Sequence, residues 1–375
     1  MSRTAISFYF FFSGLVFSSW ASRIPDVKDM FGLNEAELGA MLFMLPLGSL
    51  LTMPFAGWVV HRFGSKTISM AALFLYAVVL YFISMVNTVS SISLLLFLFG
   101  IIGNFTNIAM NTQGISIQHQ LGKPILSGLH AMWSLGVFLA AGISGWTMSA
   151  GFSLQTHFAI ISISTAMVGI CFSFSLIKDY SSNTALQKVF VLPNKGLLML
   201  GTLCFCVAMV EGAMADWSSL YYRQVVNQLN KVSTLGYTAF ALCMALGRFF
   251  GDRLLQSFSH SFVLKLNGIL IFLGMTLSLS YPVPVAVIAG FALVGFGVSS
   301  VIPIVYMLSA KTKSMTPSAA IAAVSSIGFS GFLFGPPIIG FIAQETGLRF
   351  ALSIVSFLGL MVWILSLRVR TDNVN

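Results

Sequence analysis

Thr67-Ile-Ser-Met-Ala-Ala-Leu-Phe-Leu-Tyr-Ala-Val-Val-Leu-Tyr-Phe-Ile-Ser-Met-Val-Asn87 opens a stretch of 111 residues between Lys66 and Lys178 that holds one formal charge, Lys123. A water-soluble domain needs far more surface charge than this to stay dispersed. At ~20 apolar residues per membrane-crossing helix, the stretch has room for four spans laid end to end. The composition extends the reading to the whole chain: of 375 residues 57% are hydrophobic, 8% are charged and 35 are Phe. The expected fold is an all-α polytopic membrane protein with about twelve helices.

Apolar runs between turn signals place the spans near 5–23, 37–60, 67–86, 91–118, 125–148, 156–177, 196–222, 233–254, 262–281, 284–310, 317–343 and 350–367. The first follows Met-Ser-Arg-Thr with no small-residue cleavage site before Arg23-Ile-Pro25, so it reads as a retained span. Lys and Arg concentrate on cytoplasmic loops. With a cytoplasmic N-terminus, 14 of the 19 basic residues fall inside, Arg248 and Arg253 among them; Arg23, Lys28, Arg223, Lys231 and Arg349 fall outside. Both termini are then cytoplasmic, and the expected location is a bacterial inner membrane. Topology accounts for the net charge of +9 and gives no reason to invoke nucleic acid. Cys171, Cys204, Cys206 and Cys243 lie in spans without metal-type spacing and read as small core residues.

The long polar connection at 179–195 divides the chain into six-helix bundles at 1–178 and 196–375. Gly136 and Gly145 in span five match Gly331 and Gly340 in span eleven, and Gly103 in span four aligns with Gly295 in span ten. Glycine on membrane helices permits close packing. Matching spacing at equivalent places further implies a duplicated unit, the construction of many secondary transporters.

After span two, Gly57-Trp-Val-Val-His61-Arg62-Phe-Gly64-Ser-Lys66 resembles the loop signature of the major facilitator superfamily. His61 stands in place of its acid and Ser65 in place of a base. A degenerate echo, Gly247-Arg248-Phe-Phe-Gly251-Asp252-Arg253, follows span eight. The resemblance implies two pseudo-symmetric six-helix bundles, alternating access, and a central cavity lined by spans one, four, seven and ten. It also implies gating roles for Gly57, His61, Arg62, Gly64, Lys66, Asp252 and Arg253. Trp20-Ala-Ser-Arg23-Ile-Pro25, Ser127-Gly-Leu-His130 and Glu211-Gly-Ala-Met-Ala-Asp216-Trp217 look similar to segments of bacterial fucose-permease relatives. The glycine-proline signature of drug antiporters is absent from span five.

An ionisable residue at the centre of a span costs about 2.5–3.5 kcal/mol or more, so each needs a reason. Glu211 and Asp216 are the acids within spans. Glu211 is the candidate proton-coupling site; the plainer alternative is a structural acid bonded to a neighbouring helix. Asp216 lies about 140° around the helix from it. Asp216 is a gate candidate expected to pair with Arg23, unless each is simply solvated at the membrane edge. Asn104, Asn107 and Asn111 fall on one helical face, with Gln118 continuing the row and Gln113 off it. Such amides suit a hydroxyl-rich solute, or else glue helices together. Trp20, Trp217 and His130 complete the candidate solute contacts, with Trp133 and Tyr221 as further aromatic partners. His61 is either a pH-sensitive lock or an ordinary interfacial residue.

The chain lacks a phosphate-binding loop, a nucleophile–base pair and a metal cluster. No enzyme activity, cofactor or metal is therefore expected. The leading expectation is a monomeric secondary transporter in the lipid bilayer, moving a small polar, sugar-like solute by proton symport. Efflux of a metabolite or drug by proton antiport uses the same parts. A transporter-like sensor or scaffold is the alternative of another class.

Overall fold

The computed structural model describes residues 2–123, 125–177, 195–226, 233–312 and 317–369. The expected linker at 179–195 lies outside them, apart from the backbone of Lys195. All regular structure among the described residues is helical. Eleven helical segments are long and apolar enough to cross a membrane, and a shorter apolar helix covers Leu235–Gly251. The expected all-α membrane architecture is therefore present.

In the first half the helices are α1 (Ser2–Ser22), α2 (Ile24–Phe31), α3 (Glu35–Leu42), α4 (Met44–Phe63), α5 (Ser65–Ile83), α6 (Val89–Leu121), α7 (Leu126–Ser149) and α8 (Leu154–Ser173). The second half holds α9 (Lys195–Tyr221), a π-helical turn (Tyr222–Val226), α10 (Leu235–Ser257), α11 (His260–Ser280), α12 (Pro284–Ser299), α13 (Val301–Ser309), α14 (Pro317–Thr346), α15 (Leu348–Ala351) and α16 (Ser353–Ser366). Two breaks have a local cause. Span two divides at Phe43 and span ten at Ser300. Pro46 and Pro303 follow within three residues and offer no N–H to the turn before them. Span ten is thus interrupted where its Gly, Ser and Pro content points to flexing.

The residues group into two compact units, Met1–Leu33 with Met41–Leu186, and Asn34–Ala40 with Gln187–Asn375. Inside the first, α1 packs on α7, α4 on α6, and α5 on α8. Inside the second, α9 packs on α14, α10 on α12, and α11 on α16. These are the same pairings six spans later, so the repeat read from glycine spacing is realised as repeated helix contacts.

Glycine makes those contacts close. A Cβ added at Gly136 would collide with the Phe11 carbonyl of α1, and one at Gly331 with the Phe205 carbonyl of α9. Gly295 meets the Phe240 carbonyl of α10 in the same manner. The first-unit counterpart of Gly295 is Gly100, which faces the Leu45 carbonyl of α4, whereas Gly103 faces the Tyr76 ring of α5. The glycine alignment in spans four and ten is therefore displaced by about one turn. The spare glycine accommodates an aromatic side chain rather than a backbone.

Overpacking a tight contact typically costs ~1–3 kcal/mol. Gly136→Ala and Gly331→Ala should each lower the melting temperature of the purified protein. Gly57→Ala, with nothing within 4 Å of the added carbon, should not. Thermal unfolding followed by size-exclusion monodispersity checks this, and equal melting of all three variants would refute the packing account.

Candidate functional site

Glu211 is the midpoint of the span Gly196–Val226. Its Oε1 lies 3.3 Å from Nη2 of Arg248 on α10, and the two side chains are 13% and 19% exposed. Arg248 thus belongs to the apolar run of span eight instead of the loop set to which counting basic residues assigned it. Tyr306 of α13 lies within electrostatic reach of Glu211. Spans seven, eight and ten of one unit therefore contribute to a polar centre at mid-membrane depth. Such a pair stabilises both charges only while both partners remain, because losing one leaves the other buried alone.

Asp216 lies five residues beyond Glu211, about 7.5 Å along the helix. Within its own unit it makes no hydrogen bond or ion pair with a described residue. Trp217 and Ser219 beside it are fully buried, and neither Nε1 nor Oγ finds a partner. Arg23, its expected gate partner, sits in the other unit and is engaged there. Its Nε is 2.8 Å from Asp26 Oδ2, and Nη2 donates to the Phe152 carbonyl at 3.1 Å.

In the first unit the amide row on α6 is partly self-satisfied. Asn104 Nδ2 donates to Thr52 Oγ1 of α4 at 3.0 Å. Asn111 Nδ2 donates to the Asn107 carbonyl at 2.9 Å and approaches its Oδ1 at 3.3 Å. Asn107 is exposed and keeps donor capacity of its own. Gln118 is occupied as a cap, accepting from Ile125 N at 3.0 Å at the start of α7. His130 is exposed and meets the edge of Phe10, with ring centres 5.3 Å apart. Trp20 is fully buried with an unpartnered Nε1, and Trp133 lies near Phe17 at 6.1 Å.

The loop motif between spans two and three is a junction. Gly64 has φ +86°, a conformation other residues rarely adopt, so it closes α4 and opens α5. Ser65, next in line, is fully buried, and its hydroxyl accepts from Gln113 Nε2 at 2.7 Å. The same amide donates to the Ile177 carbonyl at 2.8 Å and accepts from Ile177 N at 3.2 Å. Lys66 Nζ donates to the Leu176 carbonyl at 3.2 Å. Gln113, set aside because it lies off the amide row, therefore ties the motif to the segment that follows α8. His61 and Arg62 are exposed, and Gly57 borders open space. The side chains of Asp252 and Arg253 lie outside those described.

Reading the sequence for sites missed Arg248, Tyr306 and His157. His157, in the first turns of α8, is 0% exposed, and both of its ring nitrogens lack partners. A polar ring in an otherwise apolar span was its available signal. Arg248 carried one too, since it lies nine residues before the end of a 23-residue helix.

Comparisons with known proteins agree with this architecture. The chain is 34% identical to the membrane protein MosC of Rhizobium meliloti over 367 residues, covering 96% of this chain and 88% of that one. It is 30% identical to an uncharacterised MFS-type transporter of Yersinia pestis over 353 residues, covering 94% and 92%. The fold matches a crystal structure of a point mutant of the nucleoside transporter NupG with TM-score 0.80, at 13% identity and over 98% of both chains. The sequence profile of the Major Facilitator Superfamily matches residues 6–316. With that span matched and relatives alike over nearly their whole length, the chain belongs to the Major Facilitator Superfamily and is one of its transporters.

Proposed function

We propose that this transporter carries a small polar solute across a bacterial inner membrane by alternating access and couples that movement to a proton at Glu211. The observation that carries the reading is the Glu211–Arg248 pair at the midpoint of an apolar span. A proton on Glu211 removes the charge that holds Arg248, and the guanidinium fork is then free to bind a solute oxygen. Release of the solute lets the pair re-form and expels the proton. One coupled proton contributes ~2.3 kcal/mol per 100 mV of membrane potential, enough to drive appreciable accumulation.

The amide row of α6 supplies the neutral half of the recognition. Asn107 is exposed, and the Asn104–Thr52 bond is exchangeable for a solute hydroxyl at little net loss. Sugars, sugar acids and nucleosides all present such groups, and the fold likeness to a nucleoside transporter brings nucleosides into the panel to be tested. With Arg248 moved into the membrane, 13 of the 19 basic residues remain on the N-terminal side of the topology, which supports cytoplasmic termini. The protein works as a monomer in the bilayer. Proton antiport in the outward direction uses the same pair, so the sidedness of solute-driven current decides between uptake and efflux.

Charge movement in proteoliposomes tests the coupling. Glu211→Gln should abolish proton-driven accumulation while retaining solute exchange at equal concentrations. Loss of both, or of neither, would sink the assignment. Arg248→Ala should unfold more readily than the Arg248→Gln/Glu211→Gln double variant, because it leaves the partly buried Glu211 charge without its partner. Equal stability of the two would mean that the pair is solvated.

Recognition is tested separately. Asn107→Leu should raise the half-saturating solute concentration by about tenfold, the equivalent of ~1.4 kcal/mol. Gln113→Leu should instead lower the yield of folded protein and leave that concentration unchanged in what remains. The reverse pattern would transfer solute contact from the row to Gln113.

A further inference from the structure

Span ten changes its company at Ser300. Its first part, α12, is seated by backbone contacts. A Cβ added at Gly290 would meet the Gly274 carbonyl of α11, one at Gly295 the Phe240 carbonyl of α10, and one at Gly297 the Asn267 carbonyl of α11. Its second part, α13, is Val-Ile-Pro-Ile-Val-Tyr-Met-Leu-Ser, which holds no glycine and packs mainly on α9. Small residues that bring backbones together hold membrane helices to one another. Helix α12 is thus anchored, whereas the direction of α13 is left to the joint.

Polar groups build that joint. Ser300 is the N-cap of α13, and Ile304 N donates to its carbonyl at 3.1 Å. An N-cap serine ordinarily turns its hydroxyl on the N–H of the second or third helical residue. Here the third residue is Pro303, which has no N–H, and the Ser300 hydroxyl makes no cap bond. It accepts instead from Nδ2 of Asn267 on α11 at 2.8 Å, and both side chains are buried. On the α10 side the joint rests on the echo of the loop motif. A Cβ at Gly247 would collide with the Ser299 side chain, and one at Gly251, a turn on, would lie 3.9 Å from Ser300 Cβ. Arg248 falls between those two glycines. Tyr306, within electrostatic reach of Glu211, lies on the far side of the joint. It is six residues past Ser300, ~9 Å along α13, so a bend altered by ~10° carries it ~1.5 Å.

We propose that Asn267 is a positioning residue: its hydrogen bond to Ser300 sets the angle between α12 and α13, and thereby the approach of Tyr306 to the Glu211–Arg248 pair. An amide in a membrane helix commonly does no more than join two helices. This one differs in that its acceptor is the joint residue itself. A second tie between α11 and α13, from His260 Nε2 to Met307 Sδ at 3.2 Å, is exposed and lies toward the other end of α13, so it serves as the control. Nothing in the joint depends on which solute is carried or on the coupling role given to Glu211.

Hydrogen–deuterium exchange of the full chain in lipid, without any solute, tests the joint. Asn267→Leu and Ser300→Ala should each speed exchange in α13 by about tenfold, as expected for one lost buried hydrogen bond, and leave α12 unchanged. The double variant should exchange no faster than either single one, because both remove the same bond. His260→Ala should leave α13 as it is. A 3-fluorotyrosine label reads the consequence at the pair. The Tyr306 resonance, identified by its loss in Tyr306→Phe, should shift on Glu211→Gln in the native background and cease to respond in Asn267→Leu and Ser300→Ala. Ser300→Ala is the smaller change and gives the same readings if Asn267→Leu does not fold. Unchanged α13 exchange, effects that add in the double variant, or faster exchange in α12 and α13 alike would overturn the assignment. So would a Tyr306 resonance that ignores Glu211→Gln in the native background, or one that still follows it once the bond is removed.

Discussion

Charge in a hydrocarbon layer must be absent or paired, and the described spans show both conditions. Between Lys66 and Lys178 it is absent but for Lys123. At the midpoint of span seven it is paired, Glu211 with Arg248. The same constraint acts on the backbone, since every N–H and C=O inside the layer needs a partner from the helix itself. This is why the described structure is helical throughout and why its proline sites matter. Each proline removes one donor, and the chain breaks at Phe43 and at Ser300, while α14 runs on through Pro336 and Pro337.

Helices in lipid gain little from burying apolar side chains against one another, so close backbone approach must supply much of the association. The glycines set into facing carbonyls meet that need. They also carry the duplication: α1 with α7 and α9 with α14 use Gly136 and Gly331 against equivalent carbonyls. Large side chains elsewhere in the spans face outward, among them Phe55, Trp58, Phe249 and Phe341, as a lipid-covered surface permits.

The architecture was legible because its signal is summed over twenty residues at a time, and no single error in a boundary disturbs it. The loop motif was legible through Gly64, whose positive φ is a backbone requirement. Individual partners were not. Arg248 sits beside a motif that resembles a loop signature, so counting basic residues put it in water, while the structure puts it within reach of Glu211. Gly103 and Gly100 are three apart on one helix, and spacing alone does not say which of them meets a backbone. Gln113 was discounted because it leaves the amide row, yet its two hydrogen-bonding ends are what join Ser65 to Ile177. A helical wheel identifies faces, but not which neighbour each face receives.

The polar inventory of the two units is unequal, and this bears on how work is divided between them. The first unit offers neutral amides and hydroxyls on facing helices, Asn104 with Thr52 and Asn107 with Asn111, groups that exchange one hydrogen bond for another at small net cost. The second offers charge: an acid with a guanidinium, and a second acid without one. Neutral amides discriminate by shape and hydrogen-bond pattern and respond little to pH or potential. Ionisable groups respond strongly to both. The two halves keep equivalent backbone contacts, while among the described residues the amide row lies in the first unit and the Glu211–Arg248 pair in the second.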